Sequence, residues 1–147
     1  SRLPSERVRL LMVSSGRQRL PSYATRRRPS WLSWLSVRGF PVATPTEPQI
    51  YDLLVTAQDG IKRVQVKTTT CTVGNGRWQV GIGHRPYALD KTAAKEPYDP
   101  VSLDFFAVIN GIGELYLIPI EVVAGRTGIY LNSYDEYKVG DVSSLLN

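Results

Sequence analysis

Residues that bind soft metals are almost missing from this chain: its 147 residues include one cysteine, Cys71, and one histidine, His84. A single cysteine excludes an intramolecular disulfide and suits a reducing compartment, so a cytoplasmic location is expected. One Cys and one His also exclude a finger- or ribbon-type zinc centre within one chain, because such centres need four nitrogen or sulfur ligands. A bound metal would therefore be a hard cation held by oxygen. Long apolar runs are missing too. None can span a bilayer, and Leu10-Leu11-Met12-Val13 is too short and too flanked by arginine to read as a secretory signal. Acid is scarce at one end: residues 1–40 hold nine arginines and the single acid Glu6, a net +8, whereas residues 41–147 carry a net −3.

What is present divides the chain in two. Residues 1–29 are rich in Ser, Arg and Pro and read as a basic N-terminal arm open to disorder, closed by Arg26-Arg27-Arg28. A short helix is conceivable there from Ser5 to about Ser14. Such an arm either neutralises nucleic-acid phosphates in a salt-dependent way or serves as a solvated tail. Residues 30–147 have the apolar content of a single folded domain. Ser30 can cap a helix through Trp31, Trp34, Leu35 and Val37, stopped by Gly39. Phe40–Ala43 reads as a short edge strand, because Pro41 cannot donate to a ladder.

The most informative segment follows. Tyr51-Asp52-Leu53-Leu54-Val55 and Arg63-Val64-Gln65-Val66-Lys67-Thr68 flank Asp59-Gly60, a strong hairpin signal. A two-residue turn at Asp59-Gly60 predicts Asp52 directly opposite Lys67, with Gln65 on the same face. Leu53, Val55, Val64 and Val66 fall on the other face and can enter a core. An acid, an amide and an amine then converge on the polar face. The plain alternative is an exposed ion pair of little energetic weight.

Downstream, Trp78–Ile82 alternates and is expected to pair beside the Lys67 strand. Residues 84–100 read as a surface loop. Asp104–Ile109 reads as a buried strand and Glu114–Ile118 as another. Pro119–Ala124 reads as a short helical turn, Ile129–Leu131 as a last short strand, and Asn132 onward as a polar tail with a turn near Asp141. The order predicts an α/β (α+β) layer structure built on a mixed β-sheet.

These residues resemble the PD-(D/E)xK nuclease superfamily, in particular the small endonucleases similar to intron homing endonucleases and archaeal-type Holliday-junction resolvases. The resemblance runs from about Ser30 to Asp141. It covers Arg38-Gly39-Phe40, the Asp52 and Gln65–Lys67 segments, Tyr98-Asp99, Asp104–Val108, Tyr116–Ile120 and Ala124–Thr127. It implies a restriction-endonuclease-like core, a mixed central sheet flanked by helices. It further implies Mg²⁺-dependent hydrolysis of phosphodiester bonds in duplex or branched DNA, with Mn²⁺ as a substitute, by a homodimer. Asp52 and Lys67 are then the catalytic residues, with Gln65 in place of the second acid. Asp52, the Gln65 amide oxygen and the Val66 backbone carbonyl would be the metal donors.

The chain departs from the pattern on its first helix. Family members usually carry a glutamate there, and Trp31–Arg38 holds no acid; Glu6 is the sole upstream candidate. The alternative reading is thus a degenerate nuclease-fold protein that binds DNA without cutting it. Candidate DNA contacts are Arg26, Arg27, Arg28, Arg38, Arg77, Arg85 and Arg126, with Lys91 beside them. His84 is a candidate general base, although a lone histidine in a polar loop is more often inert.

Overall fold

The computed structural model describes residues 27–47, 49–86 and 92–141. Helix α1 spans Arg27–Val37. It starts before the expected Ser30 cap, since Pro29 in a first turn has no amide to lose and its φ is already helical. It ends as expected. Gly39 has φ +79°, its N–H reaches the Ser36 carbonyl, and the Phe40 N–H reaches back to Leu35. This is the double-bonded glycine cap that stops a helix sharply.

Eleven strands follow among the described residues. The main sheet is built from β1 (Val42–Ala43), β2 (Leu53–Ala57), β3 (Gly60–Thr69), β8 (Phe105–Asn110), β9 (Glu114–Pro119) and β11 (Lys138–Asp141), side by side in that order. β3 and β8 are parallel at its centre and the other pairs are antiparallel, so the sheet is mixed, as expected. A smaller antiparallel sheet joins β4 (Thr72–Val73), β5 (Arg77–Gly81) and β10 (Gly128–Tyr130), and a two-stranded ribbon joins β6 (Gly83–His84) to β7 (Glu96–Pro97).

The main sheet is covered on both faces. Trp31, Trp34 and Leu35 of α1 pack with Leu53, Val55, Val64, Val66 and Leu117. On the opposite face Phe106, Val108, Tyr116 and Ile118 pack with Val80, Ile82 and Ile129 of the smaller layer. α1 thus flanks one face, and among the described residues the second face is covered by the smaller sheet together with Leu131, Tyr134 and Tyr137.

Three further expectations are corrected. The strand beside β3 is β8, not Trp78–Ile82. Phe105–Ile109 is apolar on both sides and suits a central position buried on two faces, whereas β5 exposes Arg77, Gln79 and Gly81 on one side and suits an outer layer. The segment 84–100 is more than a loop, for it contains β7 and the buried Tyr98. The polar tail holds a 3₁₀ stretch (Leu131–Tyr137) and then β11, which closes the sheet edge on β9. Lys138 of β11 pairs with Glu114, which also accepts a hydrogen bond from the Asn110 amide. The conceivable Ser5–Ser14 helix lies outside the described residues.

Candidate active site

The hairpin forms one step away from the expected register. Gln58 and Asp59 make the turn, and Ala57 pairs with Gly60 and Leu53 with Val64. Asp52 therefore falls opposite Gln65, not Lys67, and its N–H reaches the Val64 carbonyl at 2.8 Å. Gly60 is the first paired residue beyond the turn rather than a corner. It sits at φ +129°, a region that side chains disfavour, and the Lys62–Asp59 ion pair fastens the tip at 3.0 Å. Moving a two-residue turn by one position slides each opposing pair by two, and a slide of two preserves the side-chain alternation. The face assignment therefore holds. Leu53, Val55, Val64 and Val66 are buried against α1, and the half-buried Asp52, Gln65 and Lys67 share the other face.

Asp52 is tied to β3 by its side chain, with Oδ2 accepting the Val66 N–H at 2.9 Å. The N–H and C=O of one strand residue leave by the same edge. The Val66 carbonyl therefore emerges on the side where the Asp52 carboxylate lies, just past the end of β2. Carboxylate, backbone carbonyl and the neighbouring Gln65 amide make an all-oxygen donor set of the kind a hard divalent cation takes. Among the described residues no three His, Cys, Asp or Glu side chains converge on one point; of the three donors, Asp52 brings the carboxylate. Glu6, the upstream candidate, lies outside the described residues.

Lys67 reaches Tyr98. Its Nζ donates to the Tyr98 hydroxyl at 3.2 Å and lies 5.2 Å from the centre of the ring. Tyr98 is buried (9 % exposed), and its ring meets Phe106 edge-on at 5.4 Å and the His84 ring at 4.9 Å. Burial, and then the nearby Asp52 charge, push the Tyr98 hydroxyl above its ordinary pKa, so it stays a neutral phenol. Sequence reasoning gave Tyr98 no role; its only signal was a place in the resembling Tyr98-Asp99 segment. His84 is likewise half-buried against Tyr98 rather than free in a loop.

A neighbouring acid is engaged differently. Asp104 Oδ2 accepts from both the backbone N–H and the side-chain Nε of Arg63, at 2.7 and 3.1 Å. The Asp104 N–H in turn reaches the Arg63 carbonyl, and its carbonyl accepts from Ile120, so this acid locks the start of β8 between β3 and β9.

The candidate DNA contacts scatter. Arg38 lies on the α1 side of the sheet, its guanidinium 4.0 Å over the Trp34 ring and its Nη1 donating to the Trp34 carbonyl. Arg77 stacks on Tyr130 at 4.5 Å in the smaller sheet. Arg85 follows His84 and is exposed, and Arg126 is exposed in the turn before β10. Arg27 and Arg28 belong to the first turn of α1, while Arg26 and Lys91 lie outside the described residues.

Comparison with known proteins gives three findings. The family described as PD-(D/E)XK endonuclease matches residues 31–138, most of the chain. No curated protein matches the sequence. Among solved structures, a bacterial homing endonuclease, I-Ssp6803I, superposes with a TM-score of 0.59 at 19 % identity, covering 76 % of this chain and 78 % of that one. At that identity the likeness shows a shared fold. MepB also matches, at 13 % identity over 71 % of this chain and 78 % of its own, with a TM-score of 0.40.

Proposed function

Because the chain belongs to the PD-(D/E)XK endonuclease family, we propose that it hydrolyses phosphodiester bonds in DNA, duplex or branched, with Mg²⁺ as cofactor and Asp52, Gln65 and Lys67 as the working residues. The observation that carries this reading is that Asp52, bound to the Val66 amide, shares one polar face of the β2–β3 hairpin with Gln65 and Lys67. Asp52, the Gln65 amide oxygen and the Val66 carbonyl would hold the cation, whose contribution when bound is neutralisation of phosphate charge and a more acidic water. Lys67 brings a compact cation to the same face. There it holds the attacking water in line and balances negative charge that builds on the phosphate oxygens. With one carboxylate in the donor set, cation affinity is low until substrate phosphate oxygens join it.

Supercoiled plasmid, linear duplex and four-way junction DNA, each incubated with Mg²⁺ or Mn²⁺, provide the test. The wild-type protein is expected to nick or cut at least one of them. Lys67→Ala is expected to lose about a hundredfold or more in rate, the scale of removing a group that stabilises the transition state, while keeping salt-dependent DNA binding. DNA binding with no cleavage of any substrate by either protein would instead establish the degenerate, binding-only reading. The lack of an acid in Trp31–Arg38 gives that second reading its support.

A further inference from the structure

Several devices converge on Tyr98, a member of the core cluster on this side of the sheet. The β6–β7 ribbon delivers it, and that ribbon is anchored at close range. Both Ile82 and Gly83 donate their N–H groups to the Thr127 carbonyl, at 3.0 and 3.2 Å. A Cβ on Gly83 would lie 3.0 Å from Thr127 Cβ and 3.1 Å from the Glu96 carbonyl, so glycine lets β6 pass closely between the 124–127 turn and β7. On its C-terminal side, Asp99 turns the chain: its Oδ1 accepts from the Val101 N–H and its carbonyl from the Ser102 N–H and hydroxyl. The ring is then clamped between Phe106 and His84. Phenylalanine would fill the same space and make the same ring contacts. What the hydroxyl adds, in a largely apolar cluster, is one acceptor 3.2 Å from the Lys67 amine.

We propose that Tyr98 is a positioning residue for Lys67. Its hydroxyl accepts from Nζ, and its ring face supports the ammonium, so the lysine is held over the polar face beside Asp52 instead of sampling solvent. A lysine side chain has rotamer entropy to lose, and a group already held in place loses it before substrate arrives. The neutral phenol suits the task. Burial and the Asp52 charge keep its proton on, so Tyr98 stays an uncharged acceptor throughout the range in which a nuclease works. The resembling segments Tyr98-Asp99 and Ala124–Thr127 thereby acquire a shared purpose, as the bracket that carries this hydroxyl to Lys67. The catalytic consequence of the proposal rests on the nuclease reading of Lys67; the contact itself does not.

The test compares wild-type protein with Tyr98→Phe, which keeps the ring and removes the acceptor. Protein with ¹³C/¹⁵N-labelled lysine is examined by NMR at one fixed pH, with Lys67→Arg assigning the Lys67 signal. Single-turnover DNA cleavage and DNA affinity are measured in parallel. In wild type, the Lys67 Cε protons are expected to be displaced upfield by the Tyr98 ring. In Tyr98→Phe, the Lys67 Cε signals should move toward their random-coil position, with the cleavage rate falling about tenfold and DNA affinity staying within twofold. Lys67 Cε shifts in Tyr98→Phe identical to wild type, together with an unchanged cleavage rate, would overturn the proposal, as would ordinary random-coil Cε shifts in the wild-type protein. If wild-type protein cuts no DNA, the nuclease reading falls while the NMR arm still decides whether Tyr98 holds Lys67.

Discussion

A tyrosine hydroxyl buried near acids keeps its proton to unusually high pH, and Tyr116 does so more strongly than Tyr98. Burial first, then the charges of Glu114 and Asp135 and a hydrogen bond with Asp135, raise it from 10.0 to about 12. The sign of the linkage is fixed. In the unfolded chain the phenol ionises near pH 10, so between pH 10 and about 12 the native state binds more protons than the unfolded state. Stability is then complete below pH 10 and declines as pH rises toward 12. Urea unfolding at stepped pH should show this decline, and Tyr116→Phe should flatten it; an equally steep decline in the variant would place its origin elsewhere. The two partners of the Lys67–Tyr98 contact were not equally readable in the sequence. Lys67 is legible because a lysine on the polar face of an alternating strand asks for a reason. Tyr98 is not, because its neighbours come from segments distant in sequence, and no local pattern announces that contact.

At the scale of elements, local signals carried far and non-local ones did not. The glycine stop at Gly39, the β2–β3 hairpin and the apolar β8 run were each readable from spacing or turn chemistry. The face of each hairpin residue was readable even though the turn lies one residue early, because alternation depends only on parity. The partner of β3 was not readable. Choosing β8 over β5 depends on which run is apolar on both faces once two layers cover the sheet, a property of the assembled molecule. β11 was missed for a related reason: its pattern is polar, and it is a strand because it caps β9. Its seat against α1 makes a specific demand. Gly140 lies under the Trp34 indole, where a Cβ would sit 3.0 Å from Nε1 and 3.5 Å from two ring carbons. Trp34 is buried and cannot swing aside. Gly140→Ala should therefore cost about 1–3 kcal/mol, the usual range for overpacking, measured as a lower urea midpoint with an unchanged m-value. A variant as stable as wild type would mean that β11 shifts freely.

For the molecule as a whole, the expected charge division stands in the sequence itself, with the net positive charge in residues 1–40 and a net negative charge beyond. One site of this kind attacks one strand, so cutting a duplex through both strands calls for a second copy in symmetric register. Light scattering of the purified protein is expected to give about twice the 16.4 kDa chain mass, and a monomer at micromolar concentration would rule out a stable homodimer. The parallel β3–β8 pair has one more consequence, in the order of assembly. Arg63 and Asp104, which meet at its start, are separated by 41 positions. Hairpins such as β2–β3 and β8–β9 close on the order of microseconds, whereas pairing across a long connection waits for its loop to be drawn in. Asp52, Gln65 and Lys67 are carried by a local hairpin, while Tyr98 rides on the long connection between β3 and β8. A nascent chain is thus expected to gather its polar residues on the hairpin before Tyr98 reaches Lys67.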